Sequence, residues 1–544
     1  TDDQKKLVKD ILKQLNYDEK MLPVKRVLNE ISKAKDEMLT PQEMLKRAGY
    51  DNLKQSVAKV YEIYQSRLKT ADAMDFDDML CKTVELFQKC PDILEFYQNQ
   101  FKYIMVDEYQ DTNKVQYKFV SMLAAKYGNI CVVGDDDQSI YKFRGATIEN
   151  ILSFENTFKG AKMIRLEQNY RSTQNILNAA NGVISNNTMR KGKTLWTENA
   201  VGDKIEVHTS DSERDEAQFI AKTILDGVAD GRKFSDFAIL YRMNAQSNSI
   251  EQALSRSGIP HRVIGGHRFY DREEIRDMVA YLQVINNPHD DVRLSRIINV
   301  PKRGIGATTV SHAADIAAGL GESIYDVIKE AENYPQLSRA SAKLKAFVAL
   351  IEAEQSGQYS LAELYSLVIE HTSYEQYLKT EKDNPEVRIE NIEELSSNIV
   401  KFEEDYGDEA DLSAFLEEIS LQTDIDNYDA DDTCVMMTLH SAKGLEFPVV
   451  FIAGMEEGMF PSVATMMNPD ELNEERRLAY VGITRAKEIL YFTKTNSRML
   501  FGSTSYNKGS RFLNEIPDNL LEYSGGRKQM FTQASSGFAS GTGE

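Results

Sequence analysis

Tyr103-Ile104-Met105-Val106-Asp107-Glu108-Tyr109-Gln110-Asp111 is a short apolar run that breaks directly into two adjacent acids. Further on, Ile130-Cys131-Val132-Val133 runs into Gly134-Asp135-Asp136-Asp137-Gln138-Ser139-Ile140-Tyr141-Lys142-Phe143-Arg144-Gly145-Ala146. Apolar runs of strand length, each closed by polar residues and separated by helix-length stretches, predict a parallel α/β sheet. Met163-Ile164-Arg165-Leu166 continues the pattern as a third expected strand. In such sheets the ligand site lies at the carboxyl ends of the strands. The two acids sit at one of those ends. Mg²⁺ is a hard ion that takes oxygen ligands, which suits Asp107, and Glu108 beside it would orient and deprotonate an attacking water. Acids after a strand also begin helices, so the pair acquires meaning only from what surrounds it.

The same texture recurs at Phe237-Ala238-Ile239-Leu240-Tyr241, Val435-Met436-Met437-Thr438-Leu439, Val449-Val450-Phe451-Ile452 and Ile489-Leu490-Tyr491-Phe492, which predicts a second α/β domain. Inside it, from Asp271 to Asp432, strand signals give way to amphipathic stretches such as Ile275–Ile285 and Leu344–Ile351, the pattern of a helical insertion. Upstream, Leu7, Ile11, Leu12 and Leu15, and again Val57, Val60, Tyr61 and Tyr64, recur at helical spacing. The tail from Ser524 is rich in Gly and Ser and is expected to be unfolded. The resulting division is a helical body over 1–86, an α/β domain over 87–165, a second over 166–271 and 435–523, its helical insertion over 272–434, and a disordered tail over 524–544.

With 544 residues and 42% hydrophobic content the chain predicts several folded domains. No apolar run reaches the about 18 residues of a membrane span, and the first residues resemble no signal or transit peptide. A cytoplasmic protein without a membrane partner is the expectation. Cys81, Cys90, Cys131 and Cys434 are scattered and show no metal-ligand spacing. The net charge of -21 argues against coating nucleic acid by bulk electrostatics. A local groove that stacks unpaired bases on aromatic rings remains compatible with it.

Asp-Glu-Tyr-Gln-Asp at 107–111 followed by the 134–146 segment resembles motifs II and III of the UvrD/Rep-type superfamily 1 DNA helicases. Further matches follow in the family's order. Gln168-Asn169-Tyr170-Arg171-Ser172-Thr173 resembles motif IV, Thr438-Leu439-His440-Ser441-Ala442-Lys443-Gly444-Leu445-Glu446-Phe447 motif V, and Glu475 to Lys487, with Thr484-Arg485-Ala486, motif VI. The resemblance implies an α/β protein of two RecA-like P-loop NTPase motor domains with helical insertions. It implies an ATP-dependent helicase moving 3′ to 5′ on single-stranded DNA, with ATP and Mg²⁺ as cofactors. Repair or replication is its setting. Single strands, single/double-strand junctions and repair or replication proteins are the expected partners.

By the same resemblance Asp107 holds Mg²⁺, Glu108 is the general base and Gln138 senses the γ-phosphate. Tyr170 stacks on the adenine and Glu446 meets the ribose. Arg171 and Arg485 are arginine fingers from the second motor, planar permanent cations suited to the charge on a transferring phosphoryl group. For the DNA, Tyr141 and Phe143 form a stacking platform, where the family commonly has Trp in place of Phe143, and Arg144 and His440 contact the strand. In the insertion, Gly304, Gly306 and Thr308 of Pro301-Lys302-Arg303-Gly304-Ile305-Gly306-Ala307-Thr308-Thr309 resemble a turn used against duplex DNA, although a plain helix-linking turn reads equally well. Phe76 is left open between a strand contact and a core position.

One expected part is missing from these residues. A phosphate loop, G-x-x-x-x-G-K-[ST], is nowhere in the sequence, and Gly192-Lys193-Thr194 fails the pattern because Asn187 stands where the first Gly is needed. The first motor domain is therefore expected to be incomplete and the chain a fragment with negligible ATP turnover of its own. The rival reading is an ATPase-inactive DNA- or protein-binding module, and a helicase-nuclease subunit is set aside for want of a nuclease segment.

Overall fold

A computed structural model describes residues 2–264, 269–357, 359–407, 410–425, 432–500 and 503–526; within these, the side chains of 2–3, 144, 356, 420–425, 500 and 503 lie outside the description. Strands β1 (Ile104–Val106) and β2 (Ile130–Val132) pair in parallel, with Ile104 opposite Ile130. The remaining strands are β3 (Ile205–Ser210), β4 (Phe237–Tyr241), β5 (His261–Ile264), β6 (Cys434–Thr438), β7 (Phe447–Ile452), β8 (Ala486–Thr495), β9 (Arg498–Leu500), β10 (Ser503–Ser505) and β11 (Leu521–Gly525). β9 and β10 form an antiparallel pair. The others build a seven-stranded sheet in the order β11-β3-β8-β7-β4-β6-β5, and each of its pairings is parallel.

Parallel strands are covered on both faces, so their sequences read as continuous apolar runs. β4, Phe-Ala-Ile-Leu-Tyr, is buried along its whole length. On one face of the sheet Ala238, Leu240, Val450 and Ile452 pack with Ile176, Ala180 and Val183 of the helix Gln174–Ile184 and Leu478 and Val481 of the helix Pro469–Ile483. On the other, Phe237, Ile239 and Phe451 meet Ile220 and Ile224 of the helix Glu213–Ala229 and Leu254 of Ser247–Arg256. The two helical bodies have cores of their own, one around Ile11, Val27, Val57 and Tyr64, the other around Met278, Leu294, Phe347 and Leu395.

Two expectations need correction. Met163–Leu166 forms no strand; Ile164 and Leu166 are exposed and have no ladder partner among the described residues. An apolar run reports what a chain can bury, not whether a neighbour strand exists to pair with it. Ser524 and Gly525, assigned to the disordered tail, belong to β11, while 527–544 lie outside the described residues. Among the described residues no helix is long and apolar enough to cross a membrane.

β1, β2 and the residues beside them carry exposed apolar side chains. Met105 is 83% and Val133 53% exposed, beside exposed Tyr103 and Cys131. Two parallel strands with an open apolar face are marginal in water.

Candidate functional site

The site begins where β1 ends. Val133 donates to Val106, Tyr109 donates to the Val133 carbonyl at 2.9 Å, and the chain between them turns through Glu108 in the left-handed region, φ 47° and ψ 40°. For a non-glycine residue that conformation costs on the order of 1–3 kcal/mol and persists only where the surroundings impose it. Here they do. Buried Gln110 donates from Nε2 to Glu108 Oε2 at 2.5 Å and accepts at Oε1 from the Asp135 amide at 2.9 Å, tying the acidic turn to the loop after β2. Gly134 permits this approach, since a Cβ there would lie 2.5 Å from Gln110 Oε1 and 3.2 Å from the Tyr109 nitrogen. Asp107 and Glu108 are left exposed, Asp107 accepting only from the Glu108 amide at 2.8 Å among the described residues.

Opposite them stands the turn that follows the carboxyl end of β6 in the second sheet. Lys443, in the turn after β6, places its ammonium 2.5 Å from Asp111 Oδ2, 3.2 Å from Glu108 Oε2 and 3.1 Å from the Gln138 carbonyl, and 5.2 Å from the centre of the Tyr141 ring. Burial pushes the Asp111 carboxyl above its ordinary range, and Lys443 works against that rise. Arg477 Nε donates to the Ser139 carbonyl at 2.6 Å, the Tyr141 hydroxyl donates to the His440 carbonyl at 3.4 Å, and the Lys142 amide donates to Glu474 Oε1 at 3.2 Å. The loop from Gln138 to Lys142 is thus held along its length by groups of the second α/β domain.

Arg171 and Glu446 pair at 2.5 Å, Lys487 pairs with the same carboxylate at 2.8 Å, and the Lys487 ammonium first and the Arg171 guanidinium second hold Glu446 down at about 2. Arg485 is buried; its Nε donates to the Val481 carbonyl and its NH1 to the Leu445 carbonyl, both at 3.0 Å. Burial lowers its guanidinium to about 10, helped by neighbouring Arg171, so it remains a cation at neutral pH. Tyr170 is exposed and anchored by its hydroxyl to Gln168 at 2.9 Å. Gln138 Nε2 donates to Asp135 Oδ2 at 2.7 Å. Tyr141, Phe143 and His440 cluster edge to face, with ring centres 6.0 Å and 5.6 Å apart, and Phe143 is exposed. The Arg144 side chain lies outside the described residues.

Residues 1–159 match the model of the UvrD/REP helicase N-terminal domain and residues 164–497 that of the UvrD-like helicase C-terminal domain. The chain belongs to the UvrD/Rep helicase family. It is 48% identical to the ATP-dependent DNA helicase PcrA of Bacillus subtilis over 96% of this chain and 72% of that protein. The ATP-dependent DNA helicase PcrA of Staphylococcus aureus strain Mu50 is 46% identical over 99% of this chain and 74% of its own length. The two parallel sheets are those of the two RecA-like motors of a UvrD/Rep helicase, each accompanied by a helical body.

Within this UvrD/Rep chain Lys443 brings Glu108, Gln138 and Tyr141 together, and Phe143 and His440 join the Tyr141 ring; Arg171 and Glu446 form a separate ion-paired cluster beside Arg485, which feels the charge of Asp135. Gly304, Gly306 and Thr308 stand apart, in the insertion. Gly304 has φ +70° and its carbonyl accepts from Lys343 at 3.1 Å, and Gly306 caps the helix Ala307–Leu320. Phe76 is exposed at the start of the helix Phe76–Lys89, which excludes the core alternative. Gly265-Gly266-His267-Arg268, part of another segment resembling a family motif, lies outside the described residues.

Sequence reading missed Lys443, Arg477 and Lys193. The signal for the first two was a lysine and an arginine inside recognised motifs. Lys193 gave none beyond a basic loop, yet its ammonium pairs with Asp135 and lies 3.5 Å from Asp137, which Arg190 also binds at 2.7 Å. The carboxylates of Asp135, Asp136 and Asp137 converge; these cations bridge Asp135 and Asp137, while Asp136 accepts from the Lys191 amide at 2.7 Å.

Proposed function

We propose that this protein is a PcrA-like ATP-dependent DNA helicase that translocates 3′ to 5′ on single-stranded DNA, with ATP and Mg²⁺ bound in the seam between the motors. The division proposed from the sequence, with motor segments at 87–165, 166–271 and 435–523 and insertions at 1–86 and 272–434, assigns one wall of the seam to each motor. Asp107 is the proposed Mg²⁺ ligand, Glu108 the water-activating base, Gln138 the γ-phosphate contact, Tyr170 the adenine platform, Glu446 the ribose contact, and Arg171 and Arg485 the fingers. Tyr141, Phe143, Arg144 and His440 would hold the strand, and Gly304, Gly306 and Thr308 the duplex ahead of it. Unwinding at single/double-strand junctions in repair or replication follows from this reading.

The observation that carries it is the position of Lys443, a second-motor cation set between the Glu108 carboxylate, the carbonyl of Gln138 and the ring of Tyr141. One group touches the candidate base, the candidate sensor and the candidate stacking ring. Movement of one motor against the other changes all three together, which is what a DNA-stimulated ATPase requires. Mg²⁺ held at Asp107 would neutralise charge at the transferring group, and the Gln138 amide would hydrogen-bond it.

The test is single-strand-stimulated ATP hydrolysis by the protein. Glu108→Gln should lower turnover by roughly 10²–10⁴-fold, the usual contribution of a positioned base. Tyr141→Ala should weaken single-strand binding by about tenfold, a stacking loss of about 1–3 kcal/mol. Strand displacement should require a 3′ rather than a 5′ tail. Full turnover in Glu108→Gln, or displacement from a 5′ tail alone, would overturn the corresponding part of the proposal.

A further inference from the structure

Arg477 is unusual among the buried cations of this protein. It is 7% exposed, and its Nε is spent on the Ser139 carbonyl. Among the described residues its two terminal amino groups form no hydrogen bond or ion pair. A buried guanidinium with unused donors is costly, and here Glu474, Asp137, Asp136 and Glu149 stabilise it only by charge at longer range. Burial lowers its affinity for the proton, so the cost registers on the group itself. The open end faces a cavity of about 910 Å³ that Phe143, Lys142, Glu474, Asp470 and Glu149 also line, at the junction of both motors and the first helical body.

The charges of that cavity select among ligands. Among the described side chains six acidic residues line it against four basic ones, the Arg144 side chain lying outside the description. A phosphate placed there would face an excess of carboxylate. A neutral ligand that accepts at one edge and donates at another would not. Arg477 and Glu474 are three residues apart on the helix Pro469–Ile483 and therefore share a face, a two-pronged donor beside an acceptor. Glu474 uses Oε1 for the Lys142 amide. Guanine fits this pair: O6 and N7 accept from a guanidinium fork, while N1–H and the exocyclic amine donate to a carboxylate.

We infer that the cavity beside Phe143 is a base-accepting pocket in which Arg477 and Glu474 read the edge of an unstacked guanine of the bound strand. The inference rests on the DNA-binding reading above and deepens it, adding a base preference to a platform whose stacking is otherwise indifferent to sequence.

The test is fluorescence anisotropy of the full chain with dT12, dT12 carrying one central dG, and the same oligonucleotide with 7-deazaguanine or hypoxanthine at that position. The dG oligonucleotide should bind roughly fivefold or more tightly than dT12, the lower end of what a bidentate base contact discriminates. 7-deazaguanine, which lacks N7, and hypoxanthine, which lacks the exocyclic amine, should each lose part of the gain. In Arg477→Lys and in Glu474→Gln the ratio of the two affinities, taken within each variant, should fall to about one. Should Arg477→Lys fail to fold, Glu474→Gln decides alone from the other side of the pocket. A ratio near one in the unaltered protein, or a ratio surviving both substitutions, overturns the inference. A variant that alters the salt dependence of binding while no dG preference exists would make the group a phosphate contact and overturn it as well. Failure of every oligonucleotide to bind would sink the DNA reading itself, whereas binding without preference sinks the guanine pocket alone.

Discussion

Arg485→Ala is expected to lower DNA-stimulated ATP turnover by about 10³-fold or more, the range seen when an arginine finger is removed. The group is buried against backbone, with its Nε on the Val481 carbonyl and NH1 on that of Leu445, and Asp135 and Glu446 lie within electrostatic reach. Its position is therefore set before any ligand arrives, and preorganised charge of this kind contributes most to phosphoryl transfer. Because Arg485 is also a packed side chain, Arg485→Lys is the control. It keeps a cation and most of the volume but loses the planar fork, so turnover should recover only partly. Single-turnover hydrolysis, with KM for ATP measured alongside, separates the outcomes: the defect should fall on kcat more than on KM. Unchanged kcat in Arg485→Ala would remove the finger assignment.

The largest effect on stability is expected at Arg498. Its guanidinium NH2 sits 2.6 Å from Glu216 Oε2 and 2.7 Å from Glu456 Oε1 in a site closed to solvent. Thr493 donates to Glu216 at 2.6 Å, and the Thr495 amide to Glu456 at 2.9 Å. Burial alone would raise the Glu456 carboxyl, and Arg498, with Asn507 and the Thr495 amide, more than offsets that, leaving it low. Arg498→Ala would strand two buried carboxylates with no cation between them, a loss of about 3–5 kcal/mol. Urea denaturation followed through the single tryptophan, Trp196, reads this directly, because Trp196 is hydrogen-bonded to Glu167 and Asn169 at the base of the second motor. Adding Glu216→Gln and Glu456→Gln to Arg498→Ala should restore part of the loss. A loss below about 1 kcal/mol would mean that the triad is not what holds this corner.

Much of this architecture was legible in the residues. Parallel strands announce themselves as unbroken apolar runs, and β4, β6, β7 and β8 were each readable for that reason. β3 alternates Ile-Glu-Val-His-Thr-Ser and β5 is only His-Arg-Val-Ile, a length and composition that a helix end or a loop shares; neither was anticipated. The expected strand at 163–166 failed in the opposite sense, being apolar without a partner. At the candidate site, motif residues were found because their chemistry is local to a short segment. The cross-motor bonds were not, since nothing in Lys443 or Arg477 taken singly says that one reaches the Gln138 carbonyl and the other that of Ser139. Lys193 was discounted as a phosphate-loop lysine on spacing, and its true partner, Asp135, lies far away in sequence.

β5 and β6 are neighbours, with His261 opposite Cys434 and Ile264 opposite Met437. A crossover between adjacent parallel strands can be made by about a dozen residues, since it has only to climb from one edge of the sheet to the other. Here the chain takes everything from Ile264 to Cys434 to cover a gap of about 10 Å, roughly three strand residues. The long excursion adds little entropic burden, because closure cost grows only with the logarithm of loop length. The helical insertion is in this sense a graft: it enters and leaves through two strands that would pair without it. Lineages could exchange or reshape it while the seven-stranded sheet kept its order.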